Sequence, residues 1–140
     1  MNTPKKISTC FVSDWFEKYS NTESIVVVID VLRATSVISI AFHYGVKEII
    51  PVQSLEEARN YKGKENFIVA AERNAMPVDG FDYGNSPFHY MNKKVQNKTL
   101  VLTTTNGTKA LEIAKNHKTI TSSFVNFDAV VDYLISQEKD

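Results

Sequence analysis

Three short polar segments each follow an apolar run. Asp30-Val-Leu-Arg33-Ala-Thr35-Ser36 follows SIVVVI, Glu72-Arg73-Asn74 follows FIVAA, and Thr103-Thr104-Thr105-Asn106-Gly107-Thr108-Lys109 follows TLVL. Carboxylates, guanidinium groups and small hydroxyls in this pattern suit the recognition of an oxyanion, phosphate first among them. Arg33 and Arg73 can grip such an anion in a forked geometry that a lysine lacks. Thr105, Asn106 and Thr108 offer hydrogen-bonding groups without bulk, and Gly107 permits either a left-handed residue or a close approach of backbone to ligand. The first and last segments lead straight into helical patterns, whose first N–H groups and partial positive charge favour an anion.

Four carboxylates stand at or near these segments: Asp30, Glu72, Asp79 and Asp82. Oxygen ligands beside a phosphate suit Mg²⁺, which keeps several waters and takes only one or two carboxylates. Its role would be to neutralise phosphoryl oxygens and to activate or orient a water. Asp79, in VDGFDYGN, reads as a turn former. The GxxxxGK[ST] spacing of a nucleoside-triphosphate loop is absent. Ser, Thr and Asx residues at a strand-to-helix junction are ordinary caps more often than ligands. The convergence of three segments therefore carries the expectation of a site, rather than any one of them. His43, His89 and His117 form no metal or triad pattern: His117, in KNHK, reads as a surface residue complementing a helix end, and His89 alone stands near the proposed site.

The elements that must present these residues follow from periodicity. SIVVVID is a β-branched run of the kind buried on both faces of a parallel sheet. Ala34, Val37, Ile38, Ala41 and Phe42 recur at helical spacing, with Gly45 where a left-handed cap would end the helix. VKEIIPV predicts a second strand. SLEEARNY predicts a short helix opened by a Ser54/Glu57 capping box, and ENFIVAAE a third strand. Residues 74–90, rich in Pro, Gly, Asn and Asp, predict a long loop, and loops of that length tend to be functional. TLVLTT, GTKALEIAKN, HKTITSS and FDAVVDYLIS then repeat strand, helix, strand, helix, with Asn126 as the N-cap of the last helix and Phe127, Val130, Val131, Leu134 and Ile135 on its apolar face. ISTCFV reads as an apolar strand that makes Cys10 an inert core residue.

Strands alternating with helices imply an α/β fold, a mostly parallel sheet with helices on both faces. Order of elements suggests two similar βαβαβ-like halves, the second apparently incomplete, since the last helix has no strand to return to. Parallel sheets of this kind bind ligands outside the carboxyl ends of their strands, where the polar segments collect.

Composition sets the outer bounds. A chain of 140 residues with 43% apolar and 23% charged residues fits one soluble domain. Sixteen basic against sixteen acidic residues, with KK pairs only at 5–6 and 93–94, give no basic face for nucleic acid. One cysteine excludes an intramolecular disulfide and fits a reducing, cytoplasmic setting. No stretch reads as a cleaved leader or a membrane span.

VIDVLRATS, AERN, GFDYGNSP and TTNGTKAL, in this order and at these separations, resemble the 2-phosphosulfolactate phosphatase family from about residue 24 to about residue 130. The resemblance implies a Mg²⁺-dependent phosphatase that converts 2-phosphosulfolactate to 3-sulfolactate and phosphate, on the route to coenzyme M. Carried onto this chain, the family pattern marks Asp30, Arg33, Thr35 and Ser36; Glu72, Arg73 and Asn74; Asp82, Gly84, Asn85 and Ser86; and Thr104, Thr105, Asn106, Gly107 and Thr108. It implies Asp30, Arg33, Glu72 and Arg73 as the catalytic set. Asp30 with Glu72 or Asp82 would hold the metal, and the remaining marked residues other than Gly84 would bind the ester. Three positions depart from the pattern: Ala75 where Gly is usual, Lys109 where Arg is common, and the surroundings of His89, where an acidic residue is frequent. Family members are also substantially longer. The chain is accordingly expected to be a single α/β domain forming the N-terminal portion of a longer phosphatase domain. The alternative is a truncated, non-catalytic anion-binding fragment. A small anionic ester is the expected partner, and a homodimer is compatible with this reading.

Overall fold

The structure, a computed structural model, describes residues 6–137. Lys5 of the first KK pair and residues 138–140 of the closing ISQEKD stretch lie outside the described residues. In chain order the elements are β1 (Ile25–Ile29), α1 (Ala34–His43), β2 (Glu48–Pro51), α2 (Leu55–Arg59), β3 (Phe67–Arg73), β4 (Met76–Pro77), β5 (Thr99–Thr103), α3 (Gly107–Ile113), β6 (Lys118–Ser122) and α4 (Phe127–Ser136). Short 3-10 segments cover Ser13–Lys18, Pro87–Tyr90, Lys93–Val95 and Phe124–Asn126.

The predicted parallel α/β architecture is present, but its strands divide between two sheets. One has the order β2-β5-β3-β4, with β2, β5 and β3 parallel and β4 antiparallel to β3; the other is a parallel pair, β1 with β6. Strand pairing does not follow the two halves read from the order of elements: β5 inserts between β2 and β3, and β6 pairs with β1.

Strand alternation explains the two apolar layers. Ile68, Ala70, Leu100 and Leu102 face one side of the sheet and pack with Val37, Ile38 and Ala41 of α1 and with Tyr90 and Val95. Val69 and Val101 face the other side, with Ala58 of α2, Val52 and the partly buried Ile50 and Phe67. A helix thus covers each face, as the period-2 strand pattern requires. Leu100 and Leu102 are fully buried, and removing each from water contributes roughly 1.5–3 kcal/mol.

Helix α1 ends as predicted, and the hydrogen bonds show why. Gly45 sits at φ +95° and donates to Phe42 O, while Val46 donates to Ala41 O, a Schellman closure that needs a left-handed residue at that point.

Several local expectations are corrected. Residues 7–12 form no strand; Phe11 is 94% exposed and Cys10 is only half-buried, its Sγ donating to Val12 O. β1 is not buried on both faces, because in a two-stranded pair only Val28 is covered and Ile29 is 66% exposed. Ser54 Oγ accepts from Glu57 N–H, but Glu57 reaches back one residue further than the box predicts, to Gln53 N–H. Residues 74–90 are not a featureless loop: they contain β4 and the turn Pro87–Tyr90. Asn126 precedes α4, yet its side chain accepts from Ser123 N–H and donates to Thr121 O, so it closes the preceding turn instead of capping α4. His117 is not a free surface group, since its ring stands edge-on to Phe16 at 5.1 Å and its Nδ1 is buried without a partner.

No helix among the described residues is long and apolar enough to cross a membrane.

Candidate functional site

The three polar segments meet. The carboxyl ends of β1, β3 and β5 open into one pocket of about 170 Å³. From the segment after β1 it takes Asp30, Leu32 and Arg33; from the end of β3, Glu72, Asn74 and Ala75; from the turn after β5, Thr105 and Asn106; and from the stretch beyond β4, Asn85. Helices α1 and α3 begin beside it. They approach closely at Gly107, where an added Cβ would overlap the Ala34 Cβ and stand 3.0 Å from Asp30 Oδ2. Gly107 was expected to permit a left-handed residue or an approach of backbone to ligand; the close approach the structure shows is instead to the first turn of α1. The φ of Gly107 is not left-handed.

Burial sorts the hydroxyls. Thr35 Oγ1 accepts from Asp30 N–H at 3.0 Å, and Ser36 Oγ donates to Val31 O at 2.8 Å, so both brace the β1–α1 turn. Thr104 and Thr108 are buried and bond to each other: each main-chain N–H donates to the other's hydroxyl, and Thr108 Oγ1 donates to Thr104 O. These four residues lie outside the pocket lining. Thr105 and Asn106 are exposed and face it.

The charged groups divide similarly. Glu72 is 6% exposed, and its Oε1 accepts from Ala75 N–H at 2.6 Å and from the Thr105 hydroxyl at 3.2 Å. Burial raises the Asp30 carboxyl above its ordinary value; the Ala34 main-chain N–H opposes this, and the nearby charge of Glu72 adds to it. Arg33 donates from Nη2 to Ala75 O at 3.0 Å, one of the five N–H groups of its fork. Arg73 follows Glu72 in the strand and therefore points to the opposite face. There it donates to Thr103 Oγ1, to Glu72 O and to Gln53 O, tying strand ends together away from the pocket. Asp82 accepts from Val69 N–H at 2.8 Å and is likewise not brought to the pocket. Ser86 is outside it too, and Lys109 pairs with Asp14 on the surface.

Two lining residues were not named as site residues from the sequence: Leu32, and Ala75, which was marked only as a departure from the usual Gly. Leu32, 87% exposed, carries no signal beyond its place between Asp30 and Arg33. Ala75 had one: Asn-Ala between two extended runs occupies the position of a two-residue hairpin turn, and an Asn-Gly there would have been read at once.

Among the described residues no three His, Cys, Asp or Glu side chains converge on a metal position. Asp30 and Glu72 do share the pocket, and Asn85, 4% exposed, places a buried Oδ1 without a hydrogen-bond partner in the same lining. Two carboxylates and an orphaned carbonyl oxygen form an all-oxygen set, the donor type that Mg²⁺ takes. His89 is not in the lining: its Nδ1 accepts from Gly84 N–H, and Tyr90, whose phenol pKa burial raises, donates to Gly84 O.

Fold and pocket together define an α/β protein with a polar pocket beyond the carboxyl ends of parallel strands, the place where such folds bind small ligands. A family profile described as 2-phosphosulpholactate phosphatase matches residues 10–140, and this chain belongs to that family. It is 51% identical over 112 residues to a probable 2-phosphosulfolactate phosphatase of Thermotoga petrophila, covering 80% of this chain and 49% of that protein. Against a protein of the same description from Clostridium perfringens it is 41% identical over 141 aligned positions, covering 96% and 57%. The chain spans about half the length of the curated relatives it matches.

Proposed function

We propose that the pocket binds and hydrolyses a small anionic phosphate ester. The observation that carries this reading is the meeting, in about 170 Å³, of a guanidinium, two carboxylates and the polar turn of Thr105 and Asn106. Arg33 supplies the fork for the phosphoryl oxygens, and Thr105 and Asn106 border the same space. Asp30 and Glu72 would hold Mg²⁺, with the Asn85 carbonyl oxygen as a third donor in place of Asp82. The metal, when bound, neutralises phosphoryl charge and orients a water. A cation held there would also favour the ionised form of Asp30, which burial disfavours most and the charge of Glu72 disfavours further. Water adds to phosphorus as the ester P–O bond breaks, giving the alcohol and inorganic phosphate. Relatives carrying the description 2-phosphosulfolactate phosphatase support that ester as the substrate. We extend the reading to 3-sulfolactate as the product, to the coenzyme M route and to a cytoplasmic setting.

The test is phosphate release from 2-phosphosulfolactate by the purified 140-residue chain, with Mg²⁺ and with a chelator. Release that requires Mg²⁺ and exceeds release from a generic aryl phosphate is expected. No release by a folded chain that still binds inorganic phosphate would replace hydrolysis with simple anion binding; equal release with chelator would remove the metal.

A further inference from the structure

We propose that the Asn74–Ala75 turn is a positioning device for the pocket, its main chain holding the Glu72 carboxylate and the Arg33 guanidinium in a fixed relation. This rests on the reading of the pocket as an anion and metal site. Asn74 and Ala75 are the two loop residues between the paired Arg73 and Met76 of β3 and β4. Both have positive φ, 54° and 62°, as the favoured type I′ hairpin turn requires. Asparagine tolerates that region and alanine does so at a cost.

From this turn the Ala75 N–H meets Glu72 Oε1 at 2.6 Å, and the Ala75 carbonyl receives Arg33 Nη2 at 3.0 Å. Asn74 N–H approaches Thr105 Oγ1 at 3.4 Å, and that hydroxyl donates to the same Glu72 oxygen. Two consecutive residues thereby join all three strand-end segments. One oxygen of Glu72 is held by two donors, which leaves the other for a ligand and restricts the rotamers of the carboxylate before anything binds. Ala75 touches no reacting atom in this scheme; it acts through Glu72 and Arg33.

The first measurement needs no turnover. An amide held by a carboxylate oxygen is protected from hydrogen exchange, so at constant pH the Ala75 amide should exchange slowly, and Glu72→Ala should remove that protection. An Ala75 amide that exchanges freely in the unaltered chain, or at the same rate in both proteins, overturns the proposal, whatever the chain does to phosphate esters. The second measurement is Mn²⁺ affinity by electron paramagnetic resonance. Ala75→Pro lacks the N–H and cannot adopt positive φ, and it should weaken Mn²⁺ on the order of 10–100-fold. Ala75→Gly keeps the donor and relaxes the backbone, and it should bind Mn²⁺ at least as tightly as the unaltered chain. Equal affinity in all three proteins would sink the proposal. Should the unaltered chain bind no Mn²⁺, the metal reading fails and the amide exchange alone decides the positioning.

Discussion

The two strand-to-helix junctions, β1 into α1 and β5 into α3, use the same residue types to different ends. Each has a threonine in the first turn of its helix bonded back to the strand end: Thr35 to Asp30 N–H, Thr108 to Thr104. Each also presents polar groups to the pocket. At the first junction these are a carboxylate and a guanidinium, Asp30 and Arg33; at the second they are neutral, Thr105 and Asn106. Burial separates cap from candidate ligand. Thr35, Thr104 and Thr108 are at most 4% exposed and hydrogen-bonded within the protein, so they have little left for a ligand, whereas Thr105 and Asn106 are exposed beside them. One junction carries charge and the other shapes the space opposite, and Gly107 lets the two helices come close enough to share it.

That division can be broken at its charged end first. Asp30→Asn should reduce phosphate release by about 100-fold or more, measured beside a circular dichroism spectrum that shows the fold retained. The same change should not destabilise the fold at neutral pH. The folded-state pKa of Asp30 is raised, so the folded protein binds its proton more tightly than the unfolded chain. The unaltered protein therefore loses stability as pH rises from the ordinary value of 3.8 through the raised one, and stays at the lower level above it. Asp30→Asn removes that loss, so urea midpoints at neutral pH should be equal or higher in the variant.

Gly107→Ala tests the contact between junctions. The added methyl group must displace Ala34, and overpacking of this kind typically costs about 1–3 kcal/mol. A lower urea midpoint is expected, together with weaker phosphate binding, since the helix starts that frame the pocket move apart.

Thr108→Val and Thr105→Ala sharpen the distinction within a single turn. The first leaves the Thr104 N–H unpartnered in a buried place and should cost about 1–3 kcal/mol. The second removes an exposed hydroxyl that donates to Glu72, should cost a smaller amount, about 0.5–1.5 kcal/mol, and should weaken phosphate binding measured by titration. If Thr105→Ala unfolds the chain while Thr108→Val does not, the assignment of cap and ligand is reversed.

Ala75→Gly is the smallest change, and it should help. Relief of positive φ at an alanine is expected to raise stability by about 1 kcal/mol, a melting temperature higher by roughly 3–5 °C.

Much of this was legible in the chain. Helix α1 followed from apolar spacing and stopped at Gly45, where a left-handed residue was expected. The strands around Val26, Ile49, Val69 and Val101 followed from β-branched runs; six pocket-lining residues were named from the three segments, Asp30, Arg33, Glu72, Asn74, Thr105 and Asn106, and a seventh, Asn85, only through the family resemblance. The division of strands between two sheets was not legible, because pairing partners far apart in sequence leave no periodic trace. Nor was the β3–β4 hairpin, since Asn-Ala replaces the Asn-Gly that marks such a turn. Arg73 was grouped with Glu72 by adjacency, yet neighbours in a strand point to opposite faces.

By itself the sequence determined which residue types stand at strand ends and which elements precede them, since periodicity, caps and glycine positions act over a few residues. Tertiary structure decided which of those polar groups remain free. Glu72 and Thr105 meet, Thr104 and Thr108 satisfy each other, Arg73 turns away, and Asn85 arrives from beyond the hairpin. Each outcome depends on burial and hydrogen-bond partners contributed by other segments, and a buried polar group must find a partner where the fold supplies one.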